Sequence, residues 1–236
     1  MKYIFGVNTV REAVINKRVK KVFLLDNFSN QAIIKLLKEN KIFINYCSRK
    51  ELDDLVKGNH QGIVALTKNI EPLSLKDLIN KNKDNPNSVF IMLDGLKDPH
   101  NLGSIIRSAD IFNAQGVIYK KRDSVSINDT VEKVSTGAIN YIPCSEVTNL
   151  TNTIKELKNN GYWVVGFEGE AKQDITQIPK DVKLCVVIGS EGEGISRLVK
   201  ENCDLLLKIP MYGHGHVNSL NASVACAIVL YELKRK

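Results

Sequence analysis

Apolar and polar positions change rhythm near residue 88. Over the first 70 residues, apolar runs of strand length alternate with stretches of helical spacing. "TVREAVIN" (9–16) has helical periodicity, with Asn8 as the expected cap. "KKVFLLD" (20–26) predicts a strand. "NQAIIKLLKEN" (30–40) predicts a helix with apolar positions 33, 34, 36 and 37. "KIFINYC" (41–47) predicts a strand, "SRKELDDLVKG" (48–58) a helix opened by Ser48 and closed at Gly58, and "QGIVALT" (61–67) a strand. This is a small α/β unit, expected over residues 1–70. Residues 71–87 are polar, hold Pro72 and Pro86 and predict a linker with a short helix from Ser74.

From Ser88 the strands lose their alternation. "VFIMLDGL", "GVIYKK", "YWVVGFEG", "KLCVVIGSE" and "LLLKIP" are apolar on both faces, as strands buried between two layers must be. Helices are expected between them at 101–113, 128–137, 150–160 and 196–203, with a last one from about 219. Strand–helix repetition predicts an α/β domain over 88–236, with a mostly parallel sheet and helices on both faces.

Charge divides along the same line. Residues 1–86 hold 16 Lys and Arg against 9 Asp and Glu, and residues 87–236 hold 17 of each. The basic excess of the chain therefore sits in its first third, which suits a module that finds a polyanion beside one that does chemistry. No apolar run is long enough for a membrane span, and no leader pattern opens the chain, so a cytoplasmic protein is expected. The five cysteines, at 47, 144, 185, 203 and 226, lack metal-ligand spacing and read as buried free thiols, with no sequence signal for a nucleophile at Cys144.

Three turns at strand ends carry the chemistry. "NLGSIIR" (101–107) places Asn101 near a helix start. Arg107, six residues on, lies about 120° away around the axis. Gly103 is the one glycine where a nucleotide-binding turn would hold phosphates. "IGSEGEGIS" (188–196) is a glycine-rich turn whose Glu191 and Glu193 would repel a phosphate and suit hydroxyls or a cation. No G-x-G-x-x-G occurs, which disfavours a nicotinamide dehydrogenase. "IPMYGHGHVNSLNASVA" (209–225) leads into a helix whose first turn is expected to carry Ser219 and Asn221, with small residues Ala222, Ser223, Ala225 and Ala227 permitting close packing. His214 and His216 lack a third partner, so no metal is expected.

Taken in order, these three stretches resemble the motifs of the SpoU (TrmH-type) RNA ribose 2′-O-methyltransferases of the SPOUT superfamily. The basic unit ahead of them resembles the ribosomal-protein-like RNA-binding domain of the ribosomal RNA subgroup, whose bacterial members methylate a guanosine ribose in 23S rRNA. The resemblance implies a C-terminal deep trefoil knot, a feature periodicity cannot suggest. It implies S-adenosylmethionine held by Gly189, Glu191, Gly192, Ile209, Met211, Ser219 and Leu220, and a catalytic set of Asn101, Arg107, Glu191, Ser219 and Asn221. It also implies a homodimer, with the apolar last helix as a buried or interfacial element. The loop from Met211 to Asn218 is longer than the family's usual one, and Ala222 stands where valine is common. Arg107 is left with two roles, a general base made neutral by a local field or a charged group that stabilises the attacking oxygen and clamps a phosphate. Transfer RNA as the substrate, and a non-catalytic RNA-binding assembly factor, remain as alternatives.

Overall fold

The computed structural model describes residues 1–213 and 219–235. It divides into two compact units, Met1–Glu71 and Pro72–Lys236. The first holds β1 (Lys2–Phe5), α1 (Val7–Ile15), β2 (Val19–Leu25), α2 (Gln31–Glu39), β3 (Phe43–Cys47), α3 (Arg49–Leu55) and β4 (Ile63–Thr67). Its sheet runs β1-β4-β2-β3. Only β2 and β3 are parallel, while β4 runs antiparallel to both β1 and β2. The apolar face of α2 buries Ile33 and Leu37 against Val10, Val14, Val22 and Leu24. Asn30 caps α2 by accepting from Ile33 N, and Ser48 and Glu51 form a reciprocal capping box on α3.

Two local expectations change here. Strand β1 was not legible, because four residues at the chain start show too little alternation to score. The cap of α1 is Gly6, at φ 90°, and not Asn8. The helix starts two residues early because the side-chain Oε1 of Gln61 accepts from Val7 N at 2.8 Å, a partner 54 residues away.

The second unit holds α4 (Leu75–Lys81), β5 (Val89–Asp94), α5 (Pro99–Ile111), β6 (Gly116–Lys120), α6 (Asp129–Val134), β7 (Cys144–Val147), α7 (Leu150–Asn159), β8 (Trp163–Phe167), β9 (Gln173–Asp174), β10 (Leu184–Gly189), α8 (Arg197–Asn202), β11 (Leu205–Lys208) and α9 (Ala222–Lys234). Its sheet is parallel throughout, in the order β7-β6-β5-β10-β8-β11-β9. Strands β7 and β9 are four and two residues long and escaped the sequence reading.

The segment expected as a linker belongs to this unit. Leu73 N donates to Cys144 O at 2.8 Å, and Leu78 and Ile79 of α4 are buried in the same core as Phe90, Ile118 and Ile154. Polar composition hid it, because α4 contributes only one short apolar edge. Helix α9 begins at Ala222, three residues later than expected, because Asn221 is its cap and accepts from Ser223 N and Val224 N.

Gly103 is not a phosphate turn. It lies inside α5, where a Cβ would stand 2.7 Å from Val134 Cβ and 3.1 Å from Val131 O of α6. The missing side chain lets two helices touch. Gly103→Ala improves intrinsic helix propensity by about 1 kcal/mol. The clash works against it by about 1–3 kcal/mol. Urea unfolding is therefore expected to show a net loss of stability, opposite in sign to a solvent-exposed helix glycine.

Candidate active site

Strands β5 and β10 are neighbours, with Asp94 opposite Gly189 at their C-terminal ends. From β5 the chain steps outward through β6 to β7, whereas β8 and β11 lie on the other side of β10. Such a reversal leaves a crevice beyond the strand ends, where ligands of open α/β sheets bind. The segments that carry the first two motifs follow these two strands, so their meeting follows from strand order.

The loop after β10 closes on itself. Ser190 N donates to Gly194 O at 3.1 Å, and Gly194 N donates to Ser190 O at 3.0 Å. Gly194 has φ 65°, a conformation that favours glycine. Gly189 is packed so tightly under this turn that a Cβ would sit 2.1 Å from the Gly194 carbonyl carbon. Past the turn, Ser196 N donates to Asp94 Oδ2 at 2.8 Å, which ties the loop to the end of β5.

Three expected residues meet at the turn. Asn101, buried near the start of α5, donates through Nδ2 to Glu191 Oε1 at 2.8 Å. Asn221 Nδ2 donates to the same oxygen at 2.5 Å and to Asn101 Oδ1 at 3.0 Å. The Asn221 oxygen is meanwhile committed to Ser223 N at 2.9 Å and to Ser223 Oγ at 2.6 Å, which fixes the amide's orientation. One residue from each motif thus forms a single hydrogen-bonded group, joining positions 120 residues apart.

Beside this group lies a cavity of about 480 Å³. Gly189, Glu191, Gly192, Ile209, Met211, Ser219 and Leu220 all line it. Arg107 is not brought in. Its side chain is exposed on α5, and no described residue holds its guanidinium in a hydrogen bond or ion pair. His214 and His216 lie outside the described residues. A further part of the wall, Phe167 to Glu170 at the end of β8, was missed by sequence reasoning. Its signal was present in "GFEGE", carboxylates spaced by glycine directly after a buried strand. Glu168 Oε2 is paired with Lys200 Nζ at 2.7 Å.

The lining decides what the cavity suits. Glu168, Glu170, Glu191 and Glu193 stand in its wall, and among the described residues no Lys or Arg does. That excludes a good fit for a di- or triphosphate and favours a cationic, phosphate-free group. Apolar Ile188, Ile209, Met211 and Leu220 offer a surface for a flat ring.

The thiols take no part. Burial pushes Cys144 and Cys226 up to about 12, and burial also raises Cys203 to about 12. A thiol so far above neutrality is not an effective nucleophile. Alkylation of the folded protein at pH 8 is expected to leave these three unmodified until denaturant is added, as peptide mass mapping would read.

A carboxylate-walled cavity at the switch point of a parallel sheet, beside the three motif segments, suits a cationic ligand such as a sulfonium. The SpoU rRNA Methylase family model matches residues 88–231, and a model described as RNA 2′-O ribose methyltransferase substrate binding matches residues 3–73. A protein of Staphylococcus haemolyticus assigned to the TrmH family of tRNA/rRNA methyltransferases is 45% identical over 238 residues, covering 99% of this chain and 95% of its own. YacO of Bacillus subtilis, assigned to the same family, is 44% identical over 239 residues with the same coverage. Among solved structures, the SpoU methyltransferase AviRb of Streptomyces viridochromogenes in complex with AdoMet superposes with a TM-score of 0.83 at 23% identity, covering 98% of this chain and 88% of that one, a likeness of fold. The chain belongs to the SpoU rRNA methylase family. It is an RNA methyltransferase whose methyl donor is S-adenosylmethionine. Among the described residues, no helix is long and apolar enough to cross a membrane.

Proposed function

We propose that the protein methylates the ribose 2′-hydroxyl of a guanosine in 23S ribosomal RNA, in the cytoplasm. The observation that carries the reading is the Asn101–Glu191–Asn221 group beside a carboxylate-walled cavity. The basic first unit favours a large folded RNA: residues 1–71 hold 13 Lys and Arg against 7 Asp and Glu. The names of its relatives mention both tRNA and rRNA, and transfer RNA is the second reading.

When bound, S-adenosylmethionine supplies a methyl group on a positively charged sulfur. Gly189 and Gly192 give it backbone to lie against, and Ile209, Met211 and Leu220 give it an apolar wall. The Glu191 carboxylate would set a negative potential that favours a sulfonium in the cavity. Ser219 and Asn221 position the loop that meets the ribose, and Asn101 holds Glu191 in place. Arg107 approaches the incoming ribose from the exposed side of α5. It would stabilise the negative charge developing on the oxygen as the hydroxyl proton passes to solvent water, and hold the adjacent phosphate through its planar fork. A neutral Arg107 acting as the base is the competing version.

The C-terminal segment is read as knotted. In support, β11 lies three strands from β5, yet α9 returns to pack on α5, which follows β5. A homodimer covers the exposed Ile111, Val224 and Tyr231 of α5 and α9, with Phe112 and Tyr231 rings already in edge contact at 6.4 Å. Sedimentation that finds a stable, active monomer ends the dimer reading.

Labelled methyl transfer to unmodified 23S rRNA fragments and to tRNA, followed by mass-spectrometric mapping, separates the substrates. Modification of tRNA alone overturns the ribosomal reading. Binding of S-adenosylmethionine without transfer to any RNA would favour an assembly factor.

A further inference from the structure

The first unit holds a cleft of its own, about 490 Å³, where β2 ends and α1, α2 and α3 begin. Its apolar wall includes Val7 and Phe28, and its polar wall includes Asn30, Arg49, Asn59 and Gln61. The three amides share one arrangement. Asn30 Oδ1 accepts from Ile33 N at 3.2 Å, Asn59 Oδ1 from Gln61 N at 3.3 Å, and Gln61 Oε1 from Val7 N at 2.8 Å. A backbone N–H can only donate, so each amide must turn its oxygen inward to the chain. Each NH₂ group is then left over, and no described residue accepts from it.

The cleft floor is fixed in the same way. Buried His60 accepts from Gly62 N at 3.0 Å through Nδ1, so Nε2 carries the hydrogen and reaches Asp53 Oδ1 at 3.1 Å. One acidic oxygen on this wall is thereby occupied. What remains is three oriented amide donors and the exposed Arg49 guanidinium over an apolar surface, beside Asn27, Ser29 and the second oxygen of Asp53. Donors held in place before binding lose little freedom when a ligand arrives.

We propose that this cleft binds the acceptor oxygens of an unpaired RNA segment and is the point at which the first unit reads its substrate. It rests on the reading that the protein acts on RNA. The oxygens belong either to the phosphodiester or to base carbonyls, and both accept hydrogen bonds from such a wall.

The test uses the full chain and short labelled single-stranded oligouridylate and oligoadenylate, read by fluorescence anisotropy. The variant Asn30→Asp, Asn59→Asp, Gln61→Glu keeps every oxygen that accepts a backbone N–H and replaces each NH₂ with a second oxygen. The control Lys17→Asn, Lys38→Gln, Lys41→Asn removes the same net charge near the C-terminal ends of α1 and α2. The cleft variant is expected to weaken binding by about tenfold or more, and the control by less than about threefold. Loss with both RNAs assigns the oxygens to phosphate, and loss with oligouridylate alone assigns them to base carbonyls. Equal weakening by variant and control, or none by the variant, overturns the proposal. Asn59→Asp alone, in an exposed loop, serves if the triple variant does not fold. If the unaltered protein neither binds nor methylates RNA, the functional reading falls as well. If it does both and the cleft variant matches it, only the cleft proposal falls.

Discussion

Arg107→Ala is expected to lower the turnover number by a factor on the order of 10²–10⁴ without weakening S-adenosylmethionine binding. Arg107 lines no part of the cavity beside Glu191, and its guanidinium has no described partner. Its removal should therefore change stability by no more than about 0.5 kcal/mol. A loss of rate would then report on chemistry with RNA, not on folding or on the cofactor. Arg107→Lys divides the two roles. A charged stabiliser leaves lysine with part of the activity at neutral pH, since the charge survives and only the two-pronged phosphate contact is lost. A neutral base leaves the lysine enzyme with a rate that climbs with pH. Single-turnover rates against pH, together with calorimetric cofactor affinity, read both. An alanine variant working at the unaltered rate removes Arg107 from the mechanism.

Gly189→Ala is expected to weaken S-adenosylmethionine binding by on the order of tenfold to a hundredfold, and to lower stability as well. A Cβ at this position would lie 2.1 Å from the Gly194 carbon, 2.4 Å from its oxygen and 2.4 Å from Ile195 N. All three are backbone atoms, so no side chain can rotate away. The turn would have to lift, opening the paired Ser190–Gly194 bonds and carrying Glu191 away from Asn101 and Asn221. Overpacking of this kind costs about 1–3 kcal/mol. One decade in affinity corresponds to about 1.4 kcal/mol. Gly192→Ala is the internal control, because a Cβ there meets nothing within 4 Å. Equal cofactor affinities for the two variants would refute the packing account.

The local elements were legible where one physical signal dominates. Helix α2 follows from apolar spacing and an Asn30 cap, and β5 and β10 follow from unbroken apolar runs that only a doubly covered sheet can use. Signals too short to accumulate were not legible, as with β1, β7 and β9. Residues 71–87 read as a linker because polar side chains outnumber Leu78 and Ile79, and their burial depends on a core formed with strands later in the chain. The start of α1 was misplaced for a related reason, since its first N–H is satisfied by Gln61, which no local window contains.

The chain's order of residues, by itself, determined that the second unit is an α/β domain with a mostly parallel sheet, that the basic charge lies in the first, and that three polar motifs follow strands of the second. Those are properties of period, composition and turn chemistry, which act over a few residues. Only the tertiary structure decided that Asn101, Glu191 and Asn221 share one oxygen, that Glu168 joins the cavity wall, and that Gly103 serves helix contact in place of phosphate binding. Strand order brings those residues together, and it is set by which apolar faces can be buried at once, a condition on the whole fold that no short stretch contains.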